Sequence, residues 1–265
     1  MKKDFLKILI EQKKEEVAAA QKQVPESALR EKALVPAERR PFFTKLKKPG
    51  PSGVNIIAEI KRASPSRGLI CPDLNPALLA HTYEAGGAAA LSVLTEQKYF
   101  QGSFNDFTAA RAATTLPVLR KDFLFTAYQL YESAVLGADA VLLIARILSK
   151  NQLRDYVLLC EELHLDALVE VHSKEDLAAA TGAGAKLIGI NNRNLRSFET
   201  DIKTAIRLAA FLQRDQIPVA ASGIQGRQDI EKNLKIGIKN FLIGESLIKA
   251  ENPAALLKSL MGQTC

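Results

Sequence analysis

A glutamate and a lysine stand at the end of an apolar run near residue 60. The run covers residues 56–60, and Glu59 and Lys61 precede a polar segment that contains Ser64 and Pro65. Side chains alternate between the two faces of a strand, so Glu59 and Lys61 would share one face. A buried, unpaired charge costs several kcal/mol, so the two groups must pair with each other or with a ligand. A purely structural ion pair is the alternative that this run alone leaves open.

The same arrangement recurs along the chain. Lys121, Glu170 and Asn191 each end another apolar run, and Arg193 follows Asn191 at the spacing of a shared strand face. Close opposite charges and burial can tune pKa values toward proton transfer near neutral pH. Two lysines and two carboxylates at one place would therefore supply general acids and bases, and the group predicts a site better than any single member does.

Two later apolar runs end in small residues instead. One is followed by Ser222 and Gly223, and the other by Gly244 and Glu245. Small residues leave backbone N–H groups open to an anion, and the loops after the last two strands of barrel enzymes commonly bind phosphate. Tight turns would explain either pair alone, but both pairs together favour a phosphorylated substrate.

Eight short aliphatic or β-branched runs alternate with helical stretches, which is typical of parallel strands joined by crossover helices. Strands are predicted over residues 56–61, 89–94, 118–121, 140–145, 167–171, 187–191, 218–222 and 240–244. Helices are predicted over residues 76–85, 104–113, 126–136, 150–163, 174–181, 200–211, 227–236 and 252–260. Glycine follows most of these helices, where it supplies the left-handed cap residue.

Eight such units predict an α/β protein of the (β/α)8 TIM barrel class, in which every strand is paired. An open doubly wound sheet is less favoured, because no Gly-x-Gly-x-x-Gly follows the first strand. Residues 1–265 are predicted to form one barrel domain, of which 1–50 is an N-terminal helical extension with a helix over 3–22. In a barrel the site lies at the carboxyl ends of the strands, so the lysines and carboxylates would meet at one mouth.

The composition limits the kinds of partner and the cellular location that we expect for this protein. The net charge is +7, but 36 basic residues are interleaved with 29 acidic ones, so we expect no nucleic acid. No apolar run approaches the roughly 20 residues that span a bilayer, and the apolar piece at 6–10 is too short for a secretory signal. Three widely separated cysteines argue against disulfides and suit a cytoplasmic location; they are Cys71, Cys160 and Cys265.

A metal site is not expected. Glu170 and His172 would face the same way, yet His81 and His164 fall in predicted helices and no third ligand is indicated. Several apolar residues would belong to the core or form the apolar wall of an aromatic-binding pocket. These are Phe100, Phe123, Leu142, Ile144 and Leu195.

Seven motifs, in order and on successive predicted strands, together resemble the indole-3-glycerol phosphate synthase family over nearly the whole chain. They are Ala58-Glu59-Ile60-Lys61-Arg62-Ala63-Ser64-Pro65-Ser66, Leu94-Thr95-Glu96-Gln97-Lys98-Tyr99-Phe100-Gln101-Gly102-Ser103, Leu119-Arg120-Lys121-Asp122-Phe123, Leu168-Val169-Glu170-Val171-His172, Gly189-Ile190-Asn191-Asn192-Arg193-Asn194-Leu195, Ser222-Gly223-Ile224 and Leu242-Ile243-Gly244-Glu245. The resemblance implies a lyase of tryptophan biosynthesis. Ring closure, decarboxylation and dehydration of 1-(2-carboxyphenylamino)-1-deoxyribulose 5-phosphate would yield indole-3-glycerol phosphate, without a cofactor or metal.

The family's catalytic roles carry over to matching residues. Lys121 matches the general acid toward the ketone oxygen and the departing hydroxyl, while Lys61 would act on the substrate carboxylate and share the acid role. Glu170 matches the residue that handles proton removal and dehydration, with support from Glu59. Asn191 would help to orient the ribulose hydroxyls and these carboxylates.

The remaining matches would bind substrate. The phosphate cradle is matched by Ser222, Gly223, Gly244 and the backbone amide of Glu245. The substrate pocket, including the walls around the anthranilate ring, is matched by Ser64, Pro65, Phe100, Phe123, Leu142, Ile144, Arg193 and Leu195. The resemblance also implies a monomer whose partner is the small phosphorylated substrate, with at most weak association with other tryptophan-pathway enzymes.

One position departs from the family's pattern. Ala221 stands where the family usually has glutamate, immediately before Ser222 and Gly223. The hypothesis is a rearranged contact rather than lost activity. Two alternatives remain open: the phosphoribosylanthranilate isomerase that acts one step earlier, which expects a cysteine and an aspartate as acid and base, and a catalytically silent barrel.

Overall fold

The computed structural model describes residues 5–194 and 199–263. Within them, eight parallel strands close into a barrel in which each strand pairs with the next and the last pairs with the first. The strands are β1 (Asn55–Ile60), β2 (Ala90–Leu94), β3 (Val118–Lys121), β4 (Ala140–Ile144), β5 (Asp166–Val171), β6 (Leu187–Asn191), β7 (Ile217–Ala221) and β8 (Asn240–Ile243). The predicted TIM barrel is confirmed, and the open sheet is excluded because β1 pairs directly with β8.

Helices cover the outside of the barrel and form the N-terminal extension. Those of the extension are α1 (Phe5–Gln23), α2 (Glu26–Ala33) and α3 (Phe42–Lys47). The others are α4 (Pro76–Ala85), α5 (Phe104–Ala112), α6 (Ala127–Leu136), α7 (Lys150–Glu162), α8 (Lys174–Gly182), α9 (Lys203–Ala209), α10 (Arg227–Leu234), α11 (Glu245–Ile248) and α12 (Pro253–Leu260). No helix in the described part of the chain is long and apolar enough to cross a membrane.

The helix predicted over 200–211 is wrong at both ends, since α9 begins at Lys203 and ends at Ala209. The carboxylate of Asp201 accepts a hydrogen bond from Lys203 N, and its carbonyl accepts one from Thr204 N. These bonds hold the chain in a turn ahead of the helix, so the first turn of α9 starts later than its composition indicates.

Strand alternation sorts the apolar residues into two clusters. Ile57, Leu119 and Leu168 point into the barrel and belong to one buried cluster. Ile56 and Val169, which alternate with them, belong to the cluster that packs the strands against the surrounding helices. The interior is therefore filled by side chains, and only the residues at the strand ends can line an open site.

The N-terminal extension contacts both ends of the barrel. At the amino end of the strands, Phe43 N donates to the Asp166 carboxylate at 2.7 Å, and Phe42 packs into the interior cluster. At the carboxyl end, Lys13 of α1 pairs with Asp122 just after β3 at 3.1 Å. The extension therefore closes the amino end and borders the end at which the site was predicted.

Candidate active site

The centre of the mouth is a buried carboxylate between two lysines. Glu59 is 4% exposed; its Oε1 lies 2.6 Å from Lys61 Nζ, and its Oε2 lies 3.8 Å from Lys121 Nζ. Burial alone would raise the pKa of the Glu59 carboxyl, but the charges of Lys61 and Lys121 outweigh it and hold this pKa below its usual range. Of the two outcomes expected for Glu59 and Lys61, pairing with each other or with a ligand, the structure shows the first, and Lys121 approaches the same carboxylate from a second strand.

The carboxyl end of β8 makes room for this carboxylate. A Cβ added at Gly244 would lie 2.6 Å from Glu59 Oε1, a distance that no side chain can occupy. Because β1 and β8 are hydrogen-bonded neighbours, the absence of a side chain at Gly244 lets the Glu59 carboxylate reach the mouth. Glu59 of the acid–base group therefore lies directly against Gly244 of the predicted anion cradle.

Glu170 and Asn191 end the neighbouring strands β5 and β6. Glu170 is 6% exposed and makes no hydrogen bond or ion pair with any described residue, so its carboxylate is free to contact a ligand. Asn191 Oδ1 accepts from Arg193 N at 3.0 Å. His172 Nδ1 lies 2.7 Å from the Asn191 carbonyl oxygen and ties the two strand ends together. Among the described residues no cluster of three or more potential metal ligands occurs.

Next to Lys121, Asp122 is the centre of a buried network of hydrogen bonds and ion pairs. This network was not predicted from the sequence. Asp122 Oδ2 accepts from Thr95 Oγ1 at 2.7 Å and pairs with Arg120 at 3.3 Å, while Asp122 Oδ1 pairs with Lys13. Burial would raise the pKa of the Asp122 carboxyl, but Lys13 and Arg120 lower it below its usual range. Asp122 also accepts from Phe123 N at 2.8 Å, so the network fixes the backbone that follows Asp122.

An apolar wall borders the charged groups. The rings of Phe100 and Phe123 lie 6.2 Å apart at an angle of 42°, and Leu142 and Ile144 are buried beside them on the inner face of β4. Glu96 fixes the loop that carries Phe100 by accepting from Phe100 N at 2.8 Å.

The loop after β1 supplies the remaining predicted pocket residues that are described. Ser64 is 4% exposed and its hydroxyl has no partner among the described residues, while Pro65 beside it is half-buried. Leu195, which was predicted to complete the wall, lies outside the described residues.

The turn after β7 has an unusual backbone. Ser222 and Gly223 both have positive φ, at 66° and 79°. A non-glycine residue in this region is strained by about 1–3 kcal/mol, and its surroundings must hold it there. Asn192 does so, because its Nδ2 donates to the Ser222 carbonyl at 3.0 Å while its Oδ1 accepts from Ala205 N. Asn192 is fully buried. It was assigned no role from the sequence, although its position between Asn191 and Arg193 in the motif could have pointed to one.

Three cationic side chains surround Glu245 where the segments after β1, β6 and β8 approach one another. Arg193 Nη1 donates to Ser66 Oγ at 2.9 Å, and Arg193 Nη2 lies 3.7 Å from Glu245 Oε2. Glu245 also pairs with Lys249 at 2.7 Å and with Arg67 at 3.1 Å. Partial burial would raise the pKa of the Glu245 carboxyl, but these cations lower it below its usual range.

Most described residues of the predicted site lie at the last residues of the barrel strands or on the loops that follow them; Leu142 lies in the middle of β4, and Glu245 is the first residue of α11. Glu59 contacts both Lys61 and Lys121, and Arg193 reaches Glu245. The fold and this arrangement define a (β/α)8-barrel enzyme whose acid and base groups stand at the carboxyl ends of the strands.

Comparison with known proteins gives the particular family. The family model for indole-3-glycerol phosphate synthase matches residues 6–260. Over 259 residues the chain is 55% identical to the indole-3-glycerol phosphate synthase of Desulfosudis oleivorans, with 97% of this chain and 98% of that protein covered. It is 51% identical to the corresponding protein of Syntrophobacter fumaroxidans, with 98% of both covered. The chain belongs to the indole-3-glycerol phosphate synthase family, and its activity is that of a carboxy-lyase of tryptophan biosynthesis.

A solved structure outside the family shares the fold. The crystal structure of 3-hexulose-6-phosphate synthase from Salmonella typhimurium is 12% identical in sequence and has a TM-score of 0.60. The match covers 78% of this chain and 97% of that one. At this identity the likeness concerns the barrel alone.

Proposed function

We propose that the mouth of the barrel converts 1-(2-carboxyphenylamino)-1-deoxyribulose 5-phosphate into indole-3-glycerol phosphate, carbon dioxide and water by lysine and glutamate acid–base catalysis. The observation that carries this proposal is the buried Glu59 carboxylate shared by Lys61 and Lys121. The substrate has a carboxylate, which needs a cation beside it, and a ketone, which needs a proton donor. The two lysines that contact Glu59 can supply the cation and the proton donor.

Lys61 and Lys121 contact Glu59 at different distances, which supports different roles for the two lysines. Lys61 makes a short 2.6 Å contact with Glu59 and is held in place, so it suits an electrostatic role on the substrate carboxylate. Lys121 makes a looser contact of 3.8 Å, which leaves its N–H groups free to donate to the ketone oxygen and later to the departing hydroxyl. The aromatic carbon attacks the ketone carbon as that oxygen is protonated, and loss of carbon dioxide restores the aromatic ring.

Glu170 is the base of the dehydration step. Its carboxylate has no partner among the described residues, although it is almost fully buried. Because no protein group occupies this carboxylate, it is free to contact a ligand that enters the site and to accept a proton from it. It removes the proton whose loss accompanies departure of the hydroxyl as water, while Asn191 and Arg193 orient the ribulose hydroxyls.

The phosphate would bind to backbone amides of the turns after β7 and β8. The positive φ of Ser222 and Gly223 and the bare Cα of Gly244 expose N–H groups, and Glu245 contributes its amide. The anthranilate ring would lie against Phe100, Phe123 and the other apolar residues of the wall, which completes one pocket for both ends of the substrate.

The family match over residues 6–260 disfavours the isomerase. Cys160 is fully buried on α7, and burial raises the pKa of its thiol, so it cannot act as an acid at the mouth. The silent barrel is tested by incubating the protein with the ribulose phosphate and following the fluorescence of the indole product. Steady formation of product, abolished in a Lys121→Ala variant prepared alongside, is the expected result; an inactive wild type would refute the proposal.

We further propose that the protein works as a monomer in the cytoplasm. The few, widely separated cysteines support the cytoplasmic location only, and the monomeric state is tested directly. Sedimentation equilibrium gives the expected mass of a single 28.9 kDa chain if this is correct.

A further inference from the structure

Three cations surround one carboxylate beside the proposed phosphate cradle. Arg67 Nε lies 3.1 Å from Glu245 Oε1, Lys249 lies 2.7 Å from the same oxygen, and Arg193 lies 3.7 Å from Glu245 Oε2. One negative charge therefore faces three positive ones, which leaves a local surplus of positive charge. Such a surplus beside exposed backbone amides favours an anion.

The three cations are not equally engaged. Lys249 is the residue that caps the carboxyl end of α11, one turn beyond Glu245, so the two pair at the i,i+4 spacing of a helix. Arg193 donates to Ser66 and to Thr200 as well, which fixes its guanidinium. The Arg67 side chain makes no other polar contact with the described residues and is 59% exposed, although Arg67 N donates to the Ser64 carbonyl at 3.2 Å. Its two Nη groups are therefore free to bind a ligand.

Arg67 stands where it can reach over the cradle. It follows Ser66 at the tip of a short hairpin formed by Ala63–Ser64 and Gly68–Leu69, in the loop after β1. The hairpin tip contacts Arg193 after β6 and Glu245 after β8, so it extends across the side of the mouth that contains the cradle.

We propose that Arg67 is a phosphate-binding residue that exchanges its contact with the Glu245 carboxylate for the phosphate of the incoming substrate. The inference rests on the proposed function of the site. A guanidinium binds phosphate oxygens through two parallel N–H bonds, and a dianion is a stronger acceptor than a carboxylate that Lys249 already neutralises. Glu245 holds Arg67 in place before the substrate arrives, and Lys249 keeps Glu245 neutralised afterwards.

Arg67→Gln tests the proposal in the full-length protein. We expect KM to rise about tenfold with kcat within about twofold, because the contact is made both before and during the reaction. Inorganic phosphate, used as a competitive inhibitor, should lose affinity by a similar factor. Lys186→Gln, which removes one positive charge from an exposed pair with Asp215 at the opposite end of the barrel, is the matched control and should change neither value.

The double variant Arg67→Gln with Glu245→Gln separates contact with the phosphate from mere neutralisation of Glu245. If Arg67 binds the phosphate, its replacement still raises KM about tenfold in the Glu245→Gln background. If the replacement has no effect there, or if the single variant leaves KM and phosphate inhibition unchanged, the proposal is wrong. An inactive wild type would instead refute the proposed function, so the two failures are distinguishable.

Discussion

At the scale of single residues, the decisive prediction concerns Lys121. Its loose contact with Glu59 leaves the ammonium free to donate a proton in the transition state. We expect Lys121→Ala to lower kcat by about 100-fold or more with little change in KM, since general acid catalysis contributes about 10²–10⁴. Steady-state kinetics by indole fluorescence measures this.

Lys121→Arg is the matched control for that experiment. It keeps the positive charge beside Glu59 but holds its proton too tightly to act as an acid. Activity should stay low in this variant too. Recovery of full turnover, or a loss confined to KM, would mean that Lys121 only binds substrate.

Glu170→Gln should lower kcat without lowering stability. The wild-type carboxylate makes no hydrogen bond or ion pair with the described residues, so the amide leaves no partner stranded. We expect a loss of about 100-fold in turnover and an unchanged melting temperature. Glu59→Gln should behave differently from Glu170→Gln. It removes the carboxylate that pairs with both Lys61 and Lys121, so it should lower both the activity and the melting temperature.

Ala221→Glu tests whether the departure from the family's pattern is compensated. Ala221 ends β7, and Arg193, on the neighbouring strand's loop, already has a carboxylate nearby in Glu245 at 3.7 Å. A second carboxylate there should change turnover by less than about tenfold. A gain of about 100-fold, measured in the same assay, would contradict the hypothesis of a rearranged contact.

At the scale of the elements, a buried ion pair supports the docking of α1. Asp122→Asn removes the buried carboxylate that Lys13 and Arg120 share, but Lys13 still pairs with Glu16 and Arg120 with Glu132, so the cost should be smaller than the roughly 3–5 kcal/mol of a buried charge that loses its only partner. We expect a loss of about 1–3 kcal/mol in the free energy of unfolding, measured by denaturant titration at pH 7.

The pH dependence of stability tests the same pair independently. The folded state lowers the pKa of the Asp122 carboxyl, so the ionised carboxylate stabilises the protein above its usual pKa of about 4. This contribution is lost as the pH falls below about 4 toward the folded pKa. Wild type should therefore lose more stability than Asp122→Asn between pH 5 and pH 2; parallel curves for the two proteins would contradict the assignment.

The barrel strands could be predicted from sequence because each is a short, nearly continuous apolar run between helical stretches. Predicted strand ends fall within one residue of the observed ones, and the parity of β1 correctly paired Glu59 with Lys61. The four-residue helix α11 and the hairpin after β1 were missed, because neither is long enough to show a period.

Contacts between distant segments could not be predicted from one sequence. Lys13 looks like one more charge on an amphipathic helix, and only the fold brings it to Asp122. The same holds for Asn192 and Arg67. Strand alternation predicts which face nearby residues occupy, but it does not predict that Asn192 contacts Ser222 or that Arg67 contacts Glu245. The residues expected to touch the substrate were therefore easier to find than those that hold them in place.

At the scale of the whole molecule, charge should speed the encounter with the substrate. The chain has a net charge of +7, and the cations around Glu245 lie at the mouth, while the substrate carries a carboxylate and a phosphate, about three negative charges near neutral pH. Salt at about 0.3 M screens this attraction within a few ångströms, whereas groups buried at the bottom of the site are screened much less. We expect kcat/KM to fall at least about threefold between 0.01 and 0.3 M sodium chloride, with kcat nearly constant. Repeating the titration with sodium acetate separates screening from chloride binding, and a kcat/KM independent of both salts would mean that the net charge has no part in substrate capture.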